Sequence, residues 1–295
     1  MGKKAIFTGA GVALVTPMHP DGSIHYGKLE ALVDWHIENG SDAIIVCGTT
    51  GEAPTLKMEE HLEAIRVTVA RAAERIPVIA GTGSNDTDHC INSCREAQRL
   101  GADGLLLVTP YYNKTSQRGL VAHYSKVAAS TDLPLILYNV PSRTGVNIQP
   151  KTVAELAKLD AVAGIKQANG DLSSVAQIAA LCDLPIYSGN DDQIVPILSM
   201  GGAGVISVLS NVIPRETHDI CQTWFDGDVK ESLRLQLHWL ELANALFSDV
   251  NPIPVKAAMN LMGMDVGDCR LPLYPMEEGA HAALEAVLRR YALIR

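Results

Sequence analysis

Short apolar segments alternate with segments of helical periodicity eight times between residues 11 and 225. Nearly all residues of the apolar segments are hydrophobic, as expected for strands that helices cover on both faces. Strict alternation predicts a parallel sheet, and eight units of this length predict an α/β fold closed into a (β/α)8 TIM barrel. The predicted strands span residues 11–18, 43–48, 77–82, 104–109, 133–140, 162–168, 184–189 and 204–209. The predicted helices between and after them span residues 26–39, 58–74, 87–100, 117–130, 150–159, 172–182, 192–200 and 214–225.

A doubly wound open sheet is the structural alternative to the closed barrel. Such a sheet usually carries a GxGxxG turn after its first strand, whereas this chain has TPMHPDG there. Helical segments without intervening strands follow the last barrel unit, at residues 229–248, 252–263 and 276–293. We therefore predict a catalytic barrel over residues 1–225 and a small α-helical domain over residues 226–295 that packs on it.

Charge and cysteine content exclude several classes of protein. The net charge is −9 and the sequence pI is about 5.4, which disfavours nucleic acid and anionic membranes as partners. The six cysteines form no CxxC pair and show no zinc-finger spacing. Gly9, Gly11 and Pro17 interrupt the apolar run near the N-terminus, which favours a strand over a signal peptide. No stretch approaches the ~18 apolar residues of a membrane span, so we expect a soluble, cytoplasmic protein.

Lys166 is the single charged residue of the predicted strand 162–168. Burying an unpaired ammonium group is costly, and desolvation lowers the pKa of the amine, which makes it nucleophilic near neutral pH. Two other interpretations stay open for this segment alone: the side chain points outward at the strand end, or it pairs with a carboxylate. Polar residues at the ends of other strands favour the nucleophile.

Those polar residues stand at the carboxyl ends of predicted strands, where barrels of this type carry their chemistry. Thr49 and Thr50 lie on a glycine-flanked turn that suits a carboxylate or a proton relay, and a plain turn with a helix cap explains them equally well. Arg143 suits a bidentate grip on a carboxylate or a surface salt bridge. The other candidates at strand ends are Tyr111, Tyr112, Tyr138 and Ile206, the last most simply a core residue.

The chain carries no HExxH motif, no cluster of histidines and carboxylates, and no P-loop. A nucleophilic amine with hydroxyl groups and an arginine at one barrel mouth suits chemistry on a keto acid without metal or cofactor. The amine would form an imine, the hydroxyls would carry protons and the guanidinium would fix an anionic substrate. We therefore expect neither a metal nor a cofactor.

Along essentially its whole length the chain resembles the pyruvate-dependent class I aldolase family that includes N-acetylneuraminate lyase. The resemblance rests on motifs in a fixed order: GVALVTPM, GTTGEAPTL, IPVIAGTGSN, VTPYYNK, LYNVPSRTG, GIKQANGD, GVISVLSN and NPIPVK. Members that cleave sugar acids usually have a serine first in the GTTGE pair and lack the arginine after YNVP. Thr49 and Arg143 therefore fit the branch that uses L-aspartate 4-semialdehyde.

For catalysis, the resemblance implies that Lys166 forms a Schiff base with pyruvate and that Tyr138 is the acid/base beside the imine. It also implies that Thr49 links Tyr138 to Tyr112 in a hydroxyl relay. In the family, the tyrosine that matches Tyr112 reaches in from the neighbouring subunit. The active unit is then at least a dimer, and the usual assembly is a homotetramer built from two tight dimers.

For substrate binding, the resemblance implies that Thr50 and the backbone near Ile206 hold the pyruvate carboxylate, and that Arg143 holds the carboxylate of the aldehyde. The implied activity is that of a lyase that condenses pyruvate with L-aspartate 4-semialdehyde to 4-hydroxy-tetrahydrodipicolinate. This reaction belongs to the diaminopimelate route of lysine biosynthesis.

Two alternative functions stay open. A relative with the same imine but another acceptor, such as a sugar-acid lyase or a hydratase-aldolase, is disfavoured by Thr49 and Arg143. A catalytically silent barrel that binds a keto acid as a sensor would not need Lys166, Tyr138, Thr49 and Tyr112 together.

A possible allosteric pocket also follows from the resemblance. Members inhibited by lysine bind it at the tight-dimer interface beside the active-site mouth, and the matching positions here are Ala53, Pro54, Met58, His61, Asn85, His89 and Tyr111. Met58 and His89 replace the histidine and glutamate usual in strongly inhibited members. Because His89 brings no negative charge to an ammonium group and Met58 no imidazole hydrogen bond, we expect weak or absent inhibition. The alternative is that another acceptor, such as Glu52 or Glu59, has taken over.

Overall fold

The computed structural model describes residues 3–295, and its central feature is a closed barrel of eight parallel strands. Each strand pairs with the next, and the eighth pairs with the first. The strands are β1 (Gly9–Ala13), β2 (Ala43–Val46), β3 (Val78–Gly81), β4 (Gly104–Val108), β5 (Leu135–Asn139), β6 (Val162–Gln167), β7 (Ile186–Ser188) and β8 (Gly204–Ser207). The predicted TIM barrel is confirmed.

At least one α-helix follows every strand. The helices are α1 (Tyr26–Glu38), α2 (Met58–Ala72), α3 (Thr87–Arg99), α4 (Gln117–Ala128), α5 (Pro141–Thr144), α6 (Pro150–Leu156), α7 (Leu172–Leu181), α8 (Ile194–Leu198), α9 (Pro214–Phe225), α10 (Val229–His238), α11 (Leu240–Ala245), α12 (Ile253–Leu261) and α13 (Glu278–Arg290). Single 3-10 turns lie at Ala53–Thr55, Asp191–Gln193 and Leu209–Asn211. Side-chain caps begin several helices: Asp86 accepts the N–H of His89, and Ser116 accepts that of Gly119.

The strands read as continuous apolar runs because both of their faces are buried. In β5, Ile136 and Tyr138 belong to the cluster inside the barrel, whereas Leu135 and Leu137 pack in the layer between barrel and helices. In β2, Ile45 likewise packs inside the barrel, whereas Ile44 and Val46 pack in the layer between barrel and helices. Burial on both faces removes the polar alternation of a half-exposed strand.

The first strand differs from its prediction, since it spans Gly9–Ala13 and not residues 11–18. It starts earlier because Gly9 pairs with Gly204 where the barrel closes. A Cβ on Gly204 would lie 1.9 Å from the carbonyl oxygen of Gly9, so the two strands can approach there only with glycine. It ends earlier because the N–H of Val15 donates to Oδ1 of Asn211 and not to a strand.

Two further predictions are corrected outside the strands. Arg143, placed in a loop by the sequence, lies on the one-turn helix α5, which Pro141 begins. The single helix predicted over 229–248 is two helices, which meet at Trp239.

Helices α10–α13 follow the barrel, and α12 is tied to it by a buried ion pair. Lys256 Nζ lies 2.9 Å from Oε1 of Glu52, which stands in the turn after β2. The proposed division of the chain at residue 225 falls between α9 and α10, and it stays a prediction. Within residues 3–295, no helix is both long and apolar enough to cross a bilayer.

Candidate active site

Lys166 and Tyr138 face each other at the mouth of the barrel. The register between β5 and β6 pairs them directly, and Lys166 Nζ lies 4.5 Å from the centroid of the tyrosine ring. Lys166 is only 5% exposed, and its amine forms no ion pair within the described residues. The lysine therefore neither points outward nor pairs with a carboxylate, and both alternatives that the sequence left open are excluded.

Burial lowers the pKa of Lys166 from 10.5 to about 8. The carboxylate of Asp191 opposes this shift, while the guanidinium of Arg143 adds to it. At pH 7 roughly one amine in ten is then uncharged, against fewer than one in a thousand for an ordinary lysine. An uncharged amine beside an aromatic hydroxyl can add to a carbonyl group.

Tyr138 is also buried, at 7% exposure. Burial raises the pKa of its phenol, and the nearby Arg143 and the Thr49 hydroxyl partly offset this effect. The phenol is therefore protonated near neutral pH and suits a proton donor.

A cavity of about 480 Å³ opens beside Tyr138. Among the candidate site residues, Thr49, Tyr138 and Arg143 line it. Six of the seven candidate allosteric positions line the same cavity: Ala53, Pro54, Met58, His61, His89 and Tyr111. Asn85 lies apart from these six, in a neighbouring cavity of about 310 Å³ that also contains Asn113.

Thr50 lies in the turn after β2, and its exposure is 3%. Its Oγ1 accepts a hydrogen bond of 3.0 Å from Nδ2 of Asn251. The main-chain oxygen of Asn251 in turn accepts one of 3.1 Å from Nη2 of Arg143, whose side chain is exposed. One residue thus joins two candidate substrate-binding residues.

Neither Tyr112 nor Ile206 lines this cavity. Tyr112 is 91% exposed, has a positive φ of 67° and does not line the cavity. Ile206 is fully buried in β8, where it pairs with Gly11 and packs inside the barrel. Within one chain, the structure does not bring Tyr112 to Tyr138.

Two residues beside Lys166 were not predicted from the sequence, Asp191 and Gly189. Asp191 is buried, its Oδ2 accepts the N–H groups of Val208 and Leu209, and its other oxygen has no partner. Gly189 leaves room for the side chain of Lys166, since a Cβ there would lie 3.1 Å from its Cε. Both residues belong to the segment SGNDD at residues 188–192, and nothing in that local sequence distinguishes them from an ordinary acidic loop.

Among residues 3–295, no three side chains of histidine, cysteine, aspartate or glutamate come together as a metal site would require.

A parallel barrel with a buried, unpaired lysine beside a tyrosine at the carboxyl ends of its strands is typical of imine-forming aldolases. The chain belongs to the dihydrodipicolinate synthetase family, whose model matches residues 6–291.

Individual relatives cover nearly the whole chain. A 4-hydroxy-tetrahydrodipicolinate synthase of Acetivibrio thermocellus is 52% identical over 294 residues, covering 99% of this chain and 100% of the relative. A dihydrodipicolinate synthase from Cyanidioschyzon merolae, solved with lysine bound, superimposes with a TM-score of 0.96 at 41% identity, covering 99% and 100% of the two chains. The chloride-inhibited enzyme from Acinetobacter baumannii, complexed with pyruvate, gives 0.95 at 43% identity, covering 97% and 99%.

Proposed function

We propose that this protein is a lyase that condenses pyruvate with L-aspartate 4-semialdehyde to 4-hydroxy-tetrahydrodipicolinate. The observation that carries the proposal is the buried amine of Lys166, without an ion-pair partner, over the ring of Tyr138. Full-length similarity to synthases of this reaction supports the choice of substrates. The reaction belongs to the diaminopimelate route to lysine, and we place the enzyme in the cytoplasm.

The chemistry begins with addition of the Lys166 amine to the keto carbon of pyruvate. Tyr138 protonates the departing oxygen, water leaves and the imine forms. Loss of a methyl proton gives an enamine, whose carbon attacks the aldehyde carbon of the second substrate. The amino group of that substrate then adds to the imine carbon and displaces the Lys166 amine, which closes the ring and releases the product.

Binding of two anionic substrates needs donors at two places. Thr50 and the backbone near Ile206 are our candidates for the pyruvate carboxylate, and Arg143 is our candidate for the carboxylate of the aldehyde.

Thr49 would pass protons between Tyr138 and Tyr112. The exposure of Tyr112 outside the cavity supports a second subunit as its source, and we infer a dimer of dimers.

The test is reductive trapping. Borohydride with pyruvate should leave a reduced three-carbon adduct on Lys166, located by intact mass and peptide mapping. Lys256 is the internal control, because it is equally buried but already donates to three oxygens. An adduct on Lys256, or none at all, would contradict the proposal, and a coupled assay with both substrates separates this synthase from aldolases with other acceptors.

A further inference from the structure

Asn251 lies in the segment between α11 and α12. Its side chain is buried at 6% exposure. It stands 201 residues from Thr50 and 108 from Arg143 along the chain, yet it forms hydrogen bonds with both. We propose that Asn251 is a positioning residue that orients the Thr50 hydroxyl toward the pyruvate carboxylate, an inference that rests on the proposed function.

The direction of the hydrogen bond carries the argument. Nδ2 of Asn251 donates to Oγ1 of Thr50 over 3.0 Å. A threonine hydroxyl has one proton and two acceptor lone pairs. Because the amide occupies a lone pair, the Thr50 proton stays free to donate to another group, and a carboxylate is a strong acceptor for it.

Nδ2 is the only side-chain atom of Asn251 that forms a hydrogen bond among the described residues. The main-chain oxygen of this residue accepts Nη2 of Arg143 at 3.1 Å. Its Oδ1 is buried without a hydrogen-bond partner among the described residues. A buried amide oxygen without a partner costs free energy, so the hydrogen bond from Nδ2 to Thr50 is the favourable polar contact that this side chain provides.

The two contacts also differ in kind, and this difference makes the proposal testable. Thr50 is held by the side chain of Asn251, whereas Arg143 is held by its backbone. Replacing the side chain removes the first contact and leaves the second. A loss confined to pyruvate binding is then the signature of positioning, whereas displacement of the whole segment would affect both substrates.

The experiment compares Asn251→Ala with wild type in steady-state assays and in pyruvate-dependent borohydride trapping. We expect the KM for pyruvate and the half-saturating pyruvate concentration for trapping to rise about tenfold, the effect of one lost hydrogen bond. The KM for the aldehyde should change less than about twofold. An equal rise for both substrates, or no rise for pyruvate, overturns the proposal.

Two further variants test whether Asn251 acts through Thr50. In a double-mutant cycle, Asn251→Ala should weaken pyruvate binding little further once Thr50→Val is present, and additive losses would contradict the proposal. Asn251→Asp keeps the size of the side chain but replaces the donor by an acceptor that attracts the Thr50 proton. It should weaken pyruvate binding more than Asn251→Ala, and wild-type binding in this variant would overturn the proposal.

Asn260→Ala is the matched control. This asparagine of α12 holds the N–H groups of Val266 and Gly267 and touches neither Thr50 nor Arg143. It should lower thermal stability without changing the KM for pyruvate. Trapping of wild type on Lys166 separates the two proposals: without an adduct the proposed function fails, and with an adduct but an unchanged Asn251→Ala only the role of Asn251 fails.

Discussion

Two lysines are almost completely buried, and their surroundings suit them to opposite roles. Lys256 is 1% exposed and donates to a carboxylate of Glu52 and to the main-chain oxygens of Thr16 and Asp268. Lys166 is 5% exposed and has the ring of Tyr138 beside it. Full pairing stabilises an ammonium group, whereas desolvation without pairing favours the free amine. The first residue therefore suits a structural role and the second a nucleophile.

The low pKa of Lys166 implies a cost in stability. The folded state has the lower pKa, about 8 against 10.5, so between these pH values the unfolded chain binds a proton that the folded chain lacks. The contribution of Lys166 to the free energy of unfolding therefore rises with pH across that window. Below pH 8 the full cost of about 3 kcal/mol applies.

Lys166→Met should therefore stabilise the inactive protein at pH 7 by up to about 3 kcal/mol, and the gain should shrink as the pH rises toward 10. Denaturant unfolding of both proteins at several pH values measures the difference. Lys126→Met is the control, because Lys126 is exposed in its pair with Asp88. A gain independent of pH, or no gain, would refute a desolvated Lys166 amine with a lowered pKa.

Lys166 was visible in the sequence as a lone charge in an apolar strand, but its assignment as the nucleophile rested on polar residues at the ends of other strands. Asn251 and Asp191 were not predicted, because their importance lies in contacts with distant parts of the chain. Asn251 meets Thr50 only after the barrel has closed and α12 has docked. Asparagine in a loop is also common for reasons of turn conformation alone, so no local pattern distinguishes this one.

At the scale of elements, the turn after β2 is the part of the site that depends most on distant support. Glu52 ends it in a left-handed conformation, with φ of 57°. Its carboxylate accepts Lys256 from α12 and the N–H of Arg270 from the segment before α13. Thr16 adds a hydrogen bond of 2.7 Å to the carbonyl of Gly51. The C-terminal helices thereby fix the position of Thr49 and Thr50.

Lys256→Met tests this support. The substitution leaves the carboxylate of Glu52 buried without its ionic partner, and breaking a buried pair costs about 3–5 kcal/mol. Denaturant unfolding measures the loss, which Glu52→Gln in the same chain should partly restore by removing the buried charge. Arg290→Met removes a half-exposed partner of Glu241 and should cost less than about 1 kcal/mol. Equal losses of stability in Lys256→Met and Arg290→Met would show that the buried pair stabilises the fold no more than the exposed pair.

The elements themselves were largely predictable, and their ends were not. Hydrophobic alternation predicted all eight strands and the closed barrel, because each unit satisfies its pattern locally. The start of β1 is set by the contact between Gly9 and Gly204, which lie at opposite ends of the barrel sequence. No local sequence pattern reveals such a contact, which explains why the predicted start of β1 differs from the observed one.

At the scale of the whole molecule, Tyr112 points to an assembly larger than one chain. A tyrosine 91% exposed with φ of 67° is strained and unpacked. If it completes the relay from a neighbouring subunit, Tyr138→Phe and Tyr112→Phe lie in one site but come from two chains.

Mixing these two variants therefore tests the assembly. A hybrid dimer has one site with both defects and one intact site. After full exchange, equal amounts should recover about a quarter of wild-type activity. Native mass spectrometry confirms the exchange. Tyr138→Phe mixed with Lys166→Met is the control without recovery. Each site takes its Tyr138 and its Lys166 from one chain, so every site of a hybrid dimer still carries one defect. Demonstrated exchange without recovery in the first mixture would place Tyr112 elsewhere.

The response to L-lysine also belongs to this scale, because the candidate pocket shares a cavity with the active site. Lysine has two ammonium groups and a carboxylate, but the described lining of this cavity includes no aspartate or glutamate. Glu52, one of the alternative acceptors, is already paired with Lys256, and Glu59 is exposed and outside the lining. Burial lowers the pKa of His61, whose Nε2 lies 2.9 Å from the Gly81 carbonyl. This favours the neutral imidazole, which supplies no negative charge to an ammonium group.

We therefore expect L-lysine to inhibit weakly or not at all in a titration with both substrates near their KM. Half-inhibition below about 1 mM, an affinity near −4 kcal/mol, would contradict this expectation. His89→Glu should increase the sensitivity, alone or with Met58→His, because it brings a carboxylate into the cavity and a charged contact is worth about 1.5–3 kcal/mol. His19→Glu is the matched control, since it makes the same change of charge at an exposed residue outside the lining. A similar increase in both variants would trace the effect to net charge and not to a lysine site.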